Sequence, residues 1–386
     1  MSKNVSYASG TSDKPLLGST IGELFDKVTN EFPKREAIVS VHQNIRFTYS
    51  ELAEQVNSLA KSFIGAGFKK GDRLGIWSPN NVEWLVTQYA AAKAGVILVT
   101  INPAYRSHEL DYVLGQSGCK GLIIQNQFKT SSYESMICEI CPEIINTGPG
   151  ELESKKFQRL THVISMTSSK IKGIYNWEDF LNLSKSIDDK ELESRQENLD
   201  SDEAINIQYT SGTTGHPKGA VLQQKNVAAN IRQYLNSLKL PIPSRTLLVA
   251  PMYHAAAMIN MCGCIAIGGT NIIQEDFIPK DVVDCLANEK ITHTVLVPAM
   301  IQACLVSVPD VANHEYAELD QIHYGASPIA PETLKKAMDI FKCKFGQGFG
   351  MTETVAVICL MTPEEHIRAI EEKPELLKSC GRPAID

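Results

Sequence analysis

Ten consecutive residues, Thr210-Ser211-Gly212-Thr213-Thr214-Gly215-His216-Pro217-Lys218-Gly219, hold four hydroxyls, three glycines and one lysine. Such a mixture suits a polyphosphate. Glycine permits φ > 0 and lets backbone N–H groups approach a ligand, hydroxyls donate to phosphate oxygens, and Lys218 adds a mobile cation. A charge-assisted hydrogen bond of this kind contributes roughly 1.5–3 kcal/mol. Pro217 limits the freedom of the segment before a ligand arrives. The order is not that of a Walker A loop, G-x-x-x-x-G-K-[ST], because His216 and Pro217 separate Gly215 from Lys218 and Gly219 follows. Kinase and P-loop NTPase chemistry lose their main support, and on composition alone a Gly/Thr-rich surface turn stays open.

Extended by one residue, Tyr209 to Gly219 resembles, nearly residue for residue, the signature Y-T-S-G-T-T-G-x-P-K-G of the adenylate-forming superfamily, which includes acyl-CoA synthetases, luciferases and peptide-synthetase adenylation domains. Three further segments carry the resemblance. Pro251-Met252-Tyr253-His254, followed by Ala255, Ala256, Ala257, Met258 and Ile259, is similar to the family's P-x-[FY]-H element beside the acyl pocket. Taken alone it would be a core helix with a capping histidine. The resemblance instead implies that His254 gates the pocket or contacts the carboxylate, with Tyr253, His254 and Met258 as acyl-binding residues. Tyr324-Gly325-Ala326-Ser327-Pro328 resembles the adenine-binding turn G-G-A-P, with Ala326 and Ser327 in place of the usual Gly-Ala. Gly346-Gln347-Gly348-Phe349-Gly350-Met351-Thr352-Glu353-Thr354 is similar to Y-G-M-T-E, with Phe349 at the aromatic position.

The residue types suit the roles that the resemblance implies. Phe349 can stack on adenine, Thr352 can hydrogen-bond the α-phosphate, and Glu353 offers hard carboxylate oxygens to Mg²⁺. The expected ATP-binding set is Thr210 to Lys218, Gly325, Ala326, Ser327 and Gln347 to Thr352; the expected catalytic set is Lys218, His254, Thr352 and Glu353. The implied chemistry is attack of a carboxylate on the α-phosphorus of ATP, then thiol attack by coenzyme A, with positioning and charge neutralisation carrying most of the catalysis. The expected partners are a carboxylic acid, ATP and coenzyme A, with no nucleic acid; a homodimer is the assembly to test.

The resemblance covers nearly the whole chain, including Gly71-Asp72-Arg73 and Asn102-Pro103-Ala104-Tyr105, and is greatest toward medium- or long-chain fatty acyl-CoA synthetases. The sequence ends at Gly381-Arg382-Pro383-Ala384-Ile385-Asp386, before the family's T-G-D motif, hinge and small C-terminal domain with its catalytic lysine. Residues 1–386 are therefore expected to be the large N-terminal domain, incomplete at its C-terminal end, with the small domain absent and turnover impaired. An aryl-CoA ligase, a peptide-synthetase adenylation domain or a catalytically dead acyl- or nucleotide-binding protein are the alternatives.

Elements that could position these segments follow from periodicity. Thr48-Tyr49-Ser50-Glu51 is a capping box ahead of Leu52, Val56, Leu59 and Phe63, with Gly65 and Gly67 to end the helix. Apolar runs at 73–77, 96–101, 121–124, 161–166 and 205–209 then alternate with helical stretches at 82–93 and 107–116. The second half repeats this, with strands at 246–250, 270–273, 292–297 and 321–324 and helices starting near Lys225, His254, Lys280 and Pro331. The expected fold is α/β, two lobes with mostly parallel sheets, approximately 1–222 and 223–386, joined by an irregular surface stretch at 184–202. Phosphate and acyl segments then fall beyond strand C-termini, where open α/β sheets bind ligands.

Bulk properties agree with a large globular protein: 386 residues, 43% hydrophobic, 21% charged. A net charge of −7 offers no global field for nucleic acid or an anionic membrane. The most apolar region, 247–269, is interrupted by Pro251, Tyr253, His254 and Asn260, so no membrane span is expected. The polar start and ten scattered cysteines, including one lone pair Cys138-x-x-Cys141, predict a cytoplasmic protein with structural thiols.

Overall fold

The computed structural model describes residues 18–210 and 215–384. Two large sheets are present. The first has seven strands in the order Lys218–Gln223, Ala204–Thr210, Ile97–Ile101, Arg73–Trp77, Gly121–Ile124, His162–Ser165 and Ile174–Asn176. All its pairings are parallel except that of Lys218–Gln223 with Ala204–Thr210. The second has nine strands, with a parallel centre formed by Lys344–Gly350, Gln321–Gly325, His293–Val295, Arg245–Leu248, Thr270–Ile273 and Glu36–Ser40. Antiparallel strands Val357–Met361 and Arg382–Pro383 complete one edge and Ile45–Thr48 the other. Buried on both faces, such parallel strands read as continuous apolar runs.

Sheet membership does not follow the division at residue 222. Glu36–Ser40 and Ile45–Thr48, from the N-terminal part, lie in the nine-stranded sheet. The stretch 184–202 also differs from expectation. It contains the helix Asp189–Glu197, capped by Asp188, whose only buried residue is Leu192. So little apolar content leaves no amphipathic signal, and packing against Val82–Ala94 stabilises the helix instead.

The helix Val82–Ala94 is buried at nearly every position. Asn81 accepts from the Trp84 amide at its start, and Gly95 at φ 69° closes its end. Thr48 and Glu51 form the expected capping box on Tyr49–Gly65, and Thr20 with Glu23 form another on Ile21–Glu31. The largest core cluster draws on both halves of the chain, from Ile21 and Phe25 through Leu98 and Ile205 to Met258 and Leu360. The two sheets therefore share a core. No helix among the described residues is long and apolar enough to cross a membrane.

Candidate active site

Strands Ala204–Thr210 and Lys218–Gln223 form an antiparallel hairpin in which Thr210 faces Lys218. Ser211, Gly212, Thr213 and Thr214 lie outside the described residues. Gly215 has φ 126°, a conformation that favours glycine. Lys218 opens its strand and is exposed. The hairpin's return arm is held from outside: the His216 ring stacks on Tyr112 with centroids 4.6 Å apart, and the Tyr112 hydroxyl donates to the Pro217 carbonyl at 3.2 Å.

The residues expected to form the adenine turn sit where two parallel strands end side by side. Gly325 is opposite Gly348, and a Cβ on Gly325 would lie 2.4 Å from the Gly348 carbonyl oxygen, so this approach requires glycine. Ala326, standing where the resemblance expects glycine, has φ 64°. Ser327 follows, exposed. On the neighbouring strand Gln347 is half-buried, while Phe349 and Met351 are 44% and 50% exposed. Phe349 thus offers an aromatic face to solvent at the carboxyl edge of the sheet.

Beyond Gly350 the chain makes a tight 3₁₀ turn, Thr352–Thr354. A Cβ on Gly350 would be 1.2 Å from the Ala356 carbonyl oxygen. Val355 closes the turn at φ 72°, ψ −60°, an outlier for a β-branched residue. Strain of this kind costs on the order of 1–3 kcal/mol and collects at functional sites. The turn packs against strand Lys218–Gln223, which brings half-buried Thr352 and exposed Glu353 to the edge that Lys218 heads. Asn230 fixes the exit by bonding both the amide and the carbonyl of Val357, at 3.1 and 2.9 Å.

The residues expected on the acyl side follow strand Arg245–Leu248. His254 takes the N-cap position of helix Ala255–Ala266 but makes no side-chain capping bond. Its exposed ring leans on Tyr253, centroids 4.0 Å apart, and the surrounding protein withdraws enough water to lower its pKa. Burial pushes the Tyr253 phenol up to about 12; Tyr105 adds to the shift and a hydrogen bond with Asn102 opposes it. Met258 is fully buried, its Sδ 3.3 Å from Gln208 Nε2.

Several residues that position this site were not singled out from sequence. Asn80 donates to the Ala250 carbonyl at 3.1 Å and accepts from the Met252 amide at 2.8 Å. Thr100 donates to the Tyr253 carbonyl at 3.0 Å. These pairs lie more than 150 residues apart in sequence, beyond the reach of any local pattern. Among the described residues no group of three or more His, Cys, Asp or Glu is placed to hold a metal ion. A cation here would take Glu353 as its carboxylate ligand and fill its remaining positions with phosphate oxygens and water, the usual manner of Mg²⁺. The exposed Glu353 carboxylate, which forms no ion pair with a described residue, fits that role.

Residues 25–386 match the model described as AMP-binding enzyme, and the chain belongs to that family. It is 34% identical over 369 residues to the mouse "Medium-chain acyl-CoA ligase ACSF2, mitochondrial", covering 94% of this chain and 60% of that protein. It is 35% identical over 345 residues to "Putative acyl-CoA synthetase YngI" of Bacillus subtilis, covering 89% and 63%. The chain thus spans about six-tenths of the length of these curated relatives. Among solved structures, the N-terminal domain of FACL13 from Mycobacterium tuberculosis superposes with a TM-score of 0.77 at 23% identity, over 96% of this chain and 83% of that one. The anthranilate CoA ligase AuaEII in complex with anthranoyl-AMP gives 0.79 at 17%, over 97% and 66%. At these identities the likeness establishes the fold, that of the N-terminal domain of adenylate-forming enzymes.

Proposed function

We propose that this chain carries the adenylating site of an acid–thiol ligase acting on a fatty acid of medium or long chain. The observation that carries this reading is the packing of the Thr352–Thr354 turn against the strand headed by Lys218, beside Phe349 and the Gly325–Ser327 turn. The substrate carboxylate attacks the α-phosphorus of ATP, forming the acyl-adenylate and releasing pyrophosphate; the coenzyme A thiol then attacks the carbonyl, forming acyl-CoA and releasing AMP. No protein nucleophile is needed. Lys218 and Thr352 neutralise and hold phosphate oxygens, Phe349 stacks on adenine, and Tyr253, His254 and Met258 receive the acid. Mg²⁺, held by Glu353, supplies charge neutralisation on the phosphates when bound. Ten free thiols suit a reducing compartment, and we place the protein in the cytoplasm.

ATP–pyrophosphate exchange with acids from acetate to palmitate tests this reading, with a Lys218→Ala, Glu353→Ala double variant as control. Acid-dependent exchange that the double variant loses supports it, and the preferred acid names the substrate class. ATP binding without exchange for any acid would contradict adenylation and leave a nucleotide-binding role.

A further inference from the structure

The helix Ser107–Ser117 lies outside every motif above, yet it holds the phosphate segment on both sides. Tyr112 stacks on His216 with ring planes 16° apart, and its hydroxyl donates to the Pro217 carbonyl at 3.2 Å. One turn further on, Gln116 donates from its amide to the Tyr112 hydroxyl at 3.0 Å and accepts from the Tyr209 hydroxyl at 2.7 Å. Tyr209 lies on strand Ala204–Thr210, while His216 and Pro217 lie just ahead of strand Lys218–Gln223. Residues four apart on a helix share a face, so one rigid surface grips both arms. The helix itself is anchored independently by buried Leu110, Val113 and Leu114 and ended by Gly118 at φ 61°.

We propose that Tyr112, working with Gln116, is a positioning residue for ATP, and the inference rests on the reading that Thr210–Lys218 binds its phosphates. Lys218 directly follows the Pro217 carbonyl that Tyr112 holds, so the tether fixes where the ammonium and the neighbouring N–H groups start from. Holding that arm before a ligand arrives removes part of the ordering cost that would otherwise be subtracted from affinity. The stack on His216 adds an aromatic contact to the same arm.

Tyr112→Phe is the discriminating variant. It keeps the ring on His216 and removes only the hydroxyl, from a half-buried position on a helix whose anchors are untouched. Titration calorimetry with Mg-ATP and hydrogen exchange of the Gly215, His216 and Lys218 amides without nucleotide are the two readouts. We expect an unchanged melting temperature, faster exchange at those amides, and ATP binding about three- to tenfold weaker. Gln116→Ala should do the same, and the double variant should add little, since both act through one network. If the parent binds ATP and both Tyr112→Phe and Gln116→Ala match it in affinity and exchange, the positioning role is wrong. If the parent chain binds no ATP, the reading under the proposed function fails and takes this inference with it, a result distinct from parent-like variants.

Discussion

The Tyr324 hydroxyl donates to Nε2 of His366 at 2.8 Å, while Nδ1 of the same ring lies 2.9 Å from the Thr362 carbonyl oxygen. A carbonyl can only accept, so Nδ1 carries the proton and Nε2 is the acceptor. Both side chains are buried, and burial lowers the His366 pKa, which keeps this neutral tautomer in place. Tyr324 precedes Gly325, so helix Pro363–Glu371 steadies the strand from which the Gly325–Ser327 turn departs.

Replacing Tyr324 by Phe should therefore destabilise the fold more than the loss of one hydroxyl suggests. The ring stays in its apolar cluster, but His366 Nε2 is left buried without a donor. The expected cost is about 1–3 kcal/mol, read as a lower urea midpoint at neutral pH. An unchanged midpoint would mean that the hydroxyl contributes nothing there.

Ala326 makes an opposite prediction. Its φ of 64° imposes a left-handed conformation that an L-residue with a Cβ adopts at about 1–2 kcal/mol, whereas glycine adopts it freely. Glycine also gains entropy when unfolded, so the net gain for Ala326→Gly should be roughly 0.5–1 kcal/mol. Because Ala326 is exposed, no packing is lost. Chemical denaturation checks it, and a destabilised Ala326→Gly would show that the methyl group makes a contact that outweighs the strain.

Three buried histidines set an acid limit on stability. Burial lowers the pKa of His293 and of His323 to about 3, each helped by a neighbouring histidine, and that of His162 to about 4, helped by Lys120. Protonation then favours the unfolded chain, where histidine has its ordinary pKa near 6.5. Their stabilisation is complete above that value and is lost as pH falls from about 6.5 toward 3, with a slope of up to about 1.4 kcal/mol per pH unit for each group. Urea midpoints measured between pH 7.5 and 5 should fall with acidification, and His323→Asn should flatten the curve. A midpoint independent of pH over that range would contradict the neutral, buried assignment.

Much of the fold was legible because local and tertiary demands agree. The strands Arg73–Trp77, Gly121–Ile124 and Thr270–Ile273 have the limits expected from their apolar runs. Alternation, however, carries no information on which sheet a strand joins, and strand Glu36–Ser40, which joins the nine-stranded sheet, was not read from the sequence at all. Helix Ile21–Glu31 was legible but overlooked: Thr20 and Glu23 form a capping box, and Ile21, Phe25 and Val28 share a face. Lys344–Gly350 is a strand despite three glycines, paired on both sides by its neighbours, which leave no room for a side chain at Gly346 or Gly350. A Cβ on Gly346 would lie 2.6 Å from His323 Nδ1. The motif residues could be found by type and order, but their supports could not. Tyr112, Gln116, Asn80 and Asn230 are ordinary residues whose partners are assembled only by folding.

Asn80 shows what such a support contributes. Only 3% exposed, it donates to the Ala250 carbonyl and accepts from the Met252 amide, bridging the loop after Arg73–Trp77 to the segment that carries Tyr253 and His254. Asn80→Asp keeps the acceptor but removes the donor and sets a buried carboxylate against the Ala250 carbonyl oxygen, so protonation would have to restore the bond. Asn80→Ala removes both bonds and leaves two backbone groups unpartnered. The alanine variant should lose about 2–4 kcal/mol of stability, from two such groups, and the aspartate variant should be more stable at pH 5 than at pH 8. On the proposed assignment, in which the Tyr253 and His254 segment receives the acid and the hairpin receives the phosphates, affinity for Mg-ATP should stay near that of the parent while affinity for the acid weakens. Equal losses for both ligands would instead make Asn80 a global fold determinant, with no selective hold on the acyl side.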